Sequence, residues 1–502
     1  MTTQQHDPSI SEYGYQQELS RTLRKFASFA IGFSFISITT GIFTTYGAVL
    51  NSSGPLGIWT WPLVAVGVTA VALVFGLLAS RIPLAGYAYQ WMSRLANPTV
   101  GWILGWFMFA FLVVDVVAVD YAVASTVFPS LFGYAATTGN TWLVTGLVAL
   151  AQACVIGAST VLTERVNSIA VGTEIVGIVG LTVLLLVVGA IRGMLSGPNL
   201  FDKAALAHHA GYFGFGSATH AGPWVLAFLL GAFTIVGFDA ASNLSEETQD
   251  AHKVVPRAMW TSVVISGVIG MGFLIAITVA ADNFGKLAAS GTPVADVVVA
   301  VLGGVVGKIF LVIVAYSIFA CGMIIFVSAT RLVWAMSRDN RFPGYTELRK
   351  VHPRLNTPLA ATLTTGVVIE VVLAVFARST DALFQLFSAA TLMPCLLYLV
   401  TVILYVVTRS RLPESRGFSL GRWEPAVITV ALVWLLFELS IFRDASFHKP
   451  WLYVVVMIAI GLVYLVWMLA RGRSLEMPKA DTDFDHAIQE VTGPRSGSPE
   501  TT

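Results

Sequence analysis

The chain has 502 residues, of which 56% are hydrophobic and only 11% charged, with a formal net charge of +1. Water-soluble domains carry about 25% charged residues, so the deficit argues for a membrane protein, and the near-zero charge gives no reason to expect a nucleic-acid partner. The three cysteines, Cys154, Cys321 and Cys395, all fall inside apolar segments, where they read as packing residues and not as a disulfide framework or a metal site.

The chain is polar as far as Lys25, which argues against a cleaved leader in the first apolar segment. About twelve apolar segments follow, near 26–50, 58–80, 99–128, 141–163, 167–191, 222–244, 257–281, 308–335, 358–377, 382–408, 425–442 and 451–470. Several contain charge-free runs close to or above the ~20 residues that cross ~30 Å of hydrocarbon. The expected fold is therefore an all-α polytopic membrane protein of about 12 transmembrane helices. Residues 283–307 are too polar at their start to span and read as an outer loop with a short amphipathic piece. The tails, 1–11 and 474–502, are polar and read as disordered.

Basic residues set the expected orientation. With the amino terminus inside, only Arg192, Lys203, Lys286, Lys308, Arg378, Arg443 and Lys449, roughly a quarter of the 29 basic residues, face outwards. This predicts a multi-pass protein of the cell membrane with both termini cytoplasmic.

Two of the segments are interrupted. Span 1 carries SITTGIF at 37–43, and span 6 carries FTIVGFD at 233–239, followed by the acidic turn SEET at 245–248. Broken helices are tolerated at membrane depth where the freed backbone lines a cavity. Interruptions at matching places in two halves are the best sequence pointer to a transporter binding site. Unwinding around Thr39, Thr40 and Gly41 would expose N–H groups at a half-helix amino end, which favours an anion; the plainer reading of Gly41 is close helix packing. Carbonyls around Phe233, Thr234 and Val236, next to Gly237, would accept from a substrate ammonium.

Ionisable residues inside spans are functional candidates by default. Asp239 follows the second break and could attract a cation, carry a proton or cap the restarted helix. Asp115 and Asp120 lie five residues apart in span 3, roughly 140° around a helix, so they are not expected to face one cavity fully. Asp115 reads as a substrate-site candidate or an interhelical hydrogen-bond partner. Glu174 in span 5 could bind a proton or complete a cation site; alternatively it pairs with a nearby Arg or sits in an aqueous vestibule. Glu370 and Glu438 read as peripheral. The eight histidines lie mostly in loops and tails, with no metal-binding spacing, and no cofactor is expected. SEET, with Lys253 and Arg257, reads as a tie between the end of span 6 and basic loops, acting in gating or folding.

Four stretches carry a family resemblance: EYGYQQELSRTLRKFASFAIGFSFIS at 12–37, ASRIPLAGYAYQWMSRLANPTVGWILGW at 79–106, GFDAASNLSEETQDAHKVVPRA at 237–258, and SATRLVWAMSRDNRFPGYTELRKVHPRLNTP at 328–358. In this order they resemble the amino acid–polyamine–organocation superfamily, closest to its amino acid/choline branch. The resemblance implies a 5+5 inverted repeat with broken helices 1 and 6, plus two additional helices. In those terms a cytoplasmic tail (1–22) precedes the transporter domain (23–472), with repeats near 26–191 and 222–408 and extra helices near 425–470. It also implies secondary active transport of an amino acid or related amine by alternating access, usually coupled to H+ and sometimes to Na+. The family places the substrate carboxylate at positions matching Thr40, Gly41 and Ile42, and an aromatic gate at Phe233. Many relatives have a lysine where this chain has Glu174, so their lysine-based coupling does not carry over. Within the same fold, an organic-cation carrier for choline, a polyamine or γ-aminobutyrate, or an exchanger, is the alternative, and a buried Asp115 would favour the cation carrier. A membrane-embedded enzyme would need a cluster of nucleophile, His and Asp groups that the sequence does not offer.

Overall fold

The computed structural model describes residues 15, 18, 19, 21–209, 211–376, 381–412, 415 and 417–471. The expected carboxyl tail, Arg378 and most of the amino tail lie outside them. Regular structure among the described residues is helical, with one isolated backbone pairing between Leu23 and Thr248. Eleven helical segments are long and apolar enough to cross a membrane, among them Lys25–Ser52, Pro98–Phe132, Thr160–Ile191 and Gly304–Arg338. The twelfth expected span, span 6, is present as two shorter helices, Pro223–Thr234 and Ala240–Asn243. Residues 283–307 hold the helices Phe284–Ala288 and Pro293–Leu302. The second is more than a surface piece: Val294, Val298 and Val301 are buried, and it packs on the second half of span 1 and on span 8.

Local chemistry places the starts of several spans. Asn97 accepts from the N–H groups of Thr99 and Val100 ahead of span 3, with Pro98 at its first position, a pairing that satisfies amide groups with no partner in the helix. Thr137 and Ser159 cap spans 4 and 5 in the same way. The spans then sort by burial. Most of the apolar window of span 1 is buried (89%), against 22% for span 12, so span 1 belongs to the interior and span 12 to the lipid-facing rim. Span 5 shows both faces at helical spacing. Asn167, Val171, Glu174, Ile178, Leu181 and Leu185 are buried, while Ile169, Val176, Val183 and Val187 are exposed, the pattern of a helix between protein and lipid.

Span 2 packs on span 7, span 3 on spans 8 and 10, and span 4 on span 9. Spans 1 and 6 meet at their interruptions. Ser37 (φ 33°) separates Lys25–Ile36 from Ile38–Ser52, and Gly237 (φ 78°) lies between the two helices of span 6. The contacts are reciprocal: a Cβ on Gly237 would lie 1.8 Å from the Phe35 ring, and one on Gly41 would lie 2.0 Å from Thr234 Oγ1. Gly237→Ala is expected to cost on the order of 2 kcal/mol or more, from the left-handed backbone and the Phe35 clash together. Gly139→Ala, at a helical position with open space around it, should leave stability unchanged. Thermal unfolding of the detergent-solubilised proteins checks the contrast.

Candidate functional site

The first interruption is narrower than the sequence suggests. It is confined to Ser37, and Thr39, Thr40, Gly41 and Ile42 already belong to the helix Ile38–Ser52. Gly41 drew attention as a helix breaker, whereas its missing side chain serves the close approach of Thr234. Helix starts leave amide groups unpaired, and here each of three successive N–H groups has a partner. Thr39 N donates to Glu174 Oε1 (3.0 Å), Thr40 N to Ser37 Oγ (3.3 Å), and Gly41 N to the Ser37 carbonyl (3.0 Å). Thr39 Oγ1 and Ser37 Oγ also donate to Glu174 Oε1, at 2.7 and 3.2 Å. The anion-favouring end of the half-helix thus holds a carboxylate, supplied by the protein itself from span 5. Glu174 is buried, and these donors take the place of the arginine or aqueous vestibule that the sequence left open.

At the second interruption, Tyr398 of span 10 joins the two sides of the break. Its hydroxyl accepts from Gly237 N (3.1 Å) and donates to Asp239 Oδ1 (2.5 Å). Asp239 makes no side-chain cap to the restarted helix, which corrects the capping expectation, and its Oδ2 is buried without a hydrogen-bond partner. Sequence reasoning missed Tyr398 because it lies in a long apolar run, with only its hydroxyl to mark it.

Phe233, next to the end of the first half of span 6, packs against Phe387 of span 10, with ring centroids 4.2 Å apart and the rings tilted by 43°. Both rings line a cavity of about 380 Å³. Thr44, Thr45, Leu230 and Thr391 also line it, and it lies on the side of the molecule away from the amino terminus. That volume falls within the ~300–1,000 Å³ usual for small-molecule sites. Ile42, Thr234 and Val236 are buried and do not line it, and spans 1 and 6 are in direct contact. Asp115 is also buried. Asp120 accepts from Gln152 Nε2 of span 4 (2.8 Å). Glu370 contacts span 4 at Gly146. Glu438 is buried in span 11, deeper than the peripheral position expected. Among the described residues, no group of three or more His, Cys, Asp or Glu side chains could hold a metal ion.

The amino-terminal side is closed by paired charges. Glu247 meets Arg331 Nε at 2.6 Å. Glu246 makes a two-pronged contact with Arg338, Nη1 to Oε2 at 2.9 Å and Nη2 to Oε1 at 3.0 Å, and also accepts from Ala85 N. Among the described residues, the charged groups that meet Glu246 and Glu247 here, Arg338 and Arg331, are thus on span 8. Leu23 completes the closure through backbone hydrogen bonds to residues 247 and 249.

A family profile described as amino acid permease matches residues 23–463. The chain belongs to the amino acid permease family. It is a permease of the amino acid–polyamine–organocation superfamily, not an enzyme. The chain is 27% identical over 455 residues to the amino-acid permease BAT1 of Arabidopsis thaliana, covering 85% of this chain and 86% of the relative. It is 25% identical to the GABA-specific permease of Saccharomyces cerevisiae, covering 85% and 76%. It is 27% identical to the low-affinity putrescine importer PlaP of Escherichia coli, covering 70% and 74%.

Removing one partner of a buried ion pair leaves a buried charge, at a cost of about 3–5 kcal/mol, whereas replacing both by apolar groups is often nearly neutral. Glu247→Leu is therefore expected to lose most folded protein in detergent, and Glu247→Leu with Arg331→Leu to recover much of it. Size-exclusion yield and melting temperature check this.

Proposed function

We propose that this permease is a secondary active carrier that moves an amino acid or related amine by alternating access, coupled to protons. The observation that carries the reading is an asymmetry about the two interrupted helices. A solute-sized cavity reaches them from one side, and buried ion pairs with a backbone pairing seal the other. Rocking spans 1, 2, 6 and 7 against spans 3, 4, 8 and 9 would separate Glu246 and Glu247 from Arg338 and Arg331. Such a motion would open the sealed side as Phe233 and Phe387 close over the solute. By the positive-inside bias the sealed side would face the cytoplasm across the cell membrane.

The substrate ammonium would sit at the carbonyls of Phe233, Thr234 and Val236, with Gly237 shaping the turn, and a substrate carboxylate at Thr40, Gly41 and Ile42. Glu174 is the proposed coupling residue, because its carboxylate shares the amino end of the same half-helix. A proton on Glu174 weakens its hold on the Thr39 N–H, which frees a donor for an incoming carboxylate. Asp239, held by Tyr398, would bias the second break in the same way. The donors at Thr39, Thr40 and Gly41 already have partners. This favours a second reading, an organic cation without a carboxylate facing Asp115; the relative named for γ-aminobutyrate, which carries a carboxylate, suits the first reading, and the one named for putrescine, a diamine, suits the second. An exchange mode and Na+ coupling are outcomes of the same experiment.

Uptake into proteoliposomes tests the proposal. Saturable accumulation driven by an inward proton gradient is expected, and Glu174→Gln should reduce gradient-driven accumulation by about tenfold or more while leaving exchange, since one lost charge-assisted contact is about 1.5–3 kcal/mol. Full gradient-driven accumulation by the variant would remove Glu174 from coupling. Competition by amino acids, diamines and choline separates the two substrate readings.

A further inference from the structure

Asp120 and Gln152 lie outside the path from cavity to gate and are unused by the mechanism above. They face each other from spans 3 and 4, both fully buried. Gln152 Nε2 donates to Asp120 Oδ1 at 2.8 Å and to the Phe319 carbonyl at 3.2 Å. These two acceptors fix which end of the amide is nitrogen. The remaining oxygens of the same two side chains, Asp120 Oδ2 and Gln152 Oε1, are both buried without a hydrogen-bond partner. Two orphaned acceptors cannot satisfy each other, and each costs about 1–3 kcal/mol when left unmade. No positive charge answers the carboxylate: the groups acting on Asp120 among the described residues are Gln152 and the acid Glu370 of span 9. Asp115 on its own helix and Cys321 on span 8 add no cation.

One proton resolves both deficits. Bound to Asp120 Oδ2, it is donated to Gln152 Oε1 and closes a cyclic acid–amide pair with the hydrogen bond already present. We propose that Asp120 and Gln152 form a proton-binding site between spans 3 and 4, in which Asp120 is held as the carboxylic acid. Gly322 makes the pair possible, because a Cβ there would lie 2.4 Å from Asp120 Oδ1 and 2.6 Å from Gln152 Nε2. The adjacent residue, Cys321, donates through Sγ to the Phe35 carbonyl at 3.3 Å. The proton site therefore sits one residue along span 8 from a contact with the interrupted end of span 1.

Infrared difference spectroscopy on the full-length protein tests the site. Asp120→Asn makes the same two hydrogen bonds without a titratable group. It should keep transport within about threefold of the parent while losing one C=O band of a protonated carboxyl. If that variant fails to fold, Gln152→Met gives the second reading: the carboxyl band should persist and move to higher frequency as its hydrogen bonds are removed. A spectrum in which no protonated-carboxyl band disappears with Asp120→Asn, or in which none moves with Gln152→Met, overturns the proposal. Uptake by the parent protein is measured in parallel, so failure of the carrier reading and failure of the proton site are told apart.

Discussion

A helix that stops inside hydrocarbon must find hydrogen-bond partners for the groups it releases, since no lipid supplies them. The organisation of this permease follows from how its two interrupted spans meet that demand. The answer to each comes from a different helix: Glu174 of span 5 serves the amino end at Ser37, and the Tyr398 hydroxyl of span 10 bridges Gly237 and Asp239. Both partners are polar groups on largely apolar helices, and both are held in place by the helices that carry them. The interruptions are thus braced from outside, and a change of charge at either brace is felt first by the broken backbone.

The close contacts between the breaks add a second constraint. Gly41 lies on Thr234 and Gly237 on Phe35, so each break is packed against the flank of the other. A packed, space-filling contact has few intermediate arrangements, which favours motion of spans 1 and 6 as a pair. The cavity and the ion pairs then lie on opposite sides of these packed breaks.

Much of this architecture was legible in the sequence. The spans follow from charge-free apolar runs, the two interruptions from glycine with small polar neighbours, and the candidacy of Glu174 from a carboxylate on an apolar helix. The exact seat of the first break was not legible, because glycine signals both chain reversal and close approach, and Gly41 serves the second purpose. Tyr398 and Gln152 were invisible for another reason: a single hydroxyl or amide in an apolar run gains meaning only from the helix opposite. The arginines facing Glu246 and Glu247 were not legible, since sequence distance from the acidic turn does not reveal that Arg331 and Arg338, on one long helix, meet it. Span number and polarity are written locally, whereas pairing across spans is a property of the packed bundle.

The backbone pairing of Leu23 with Thr248 ties the entrance of the first span to the exit of the sixth by main-chain atoms alone. Such a clasp is indifferent to side-chain identity and depends instead on how the chain is led into the membrane. A pull on the chain ahead of residue 23 would therefore act on this seam, and through it on the sealed face, by way of the main chain itself.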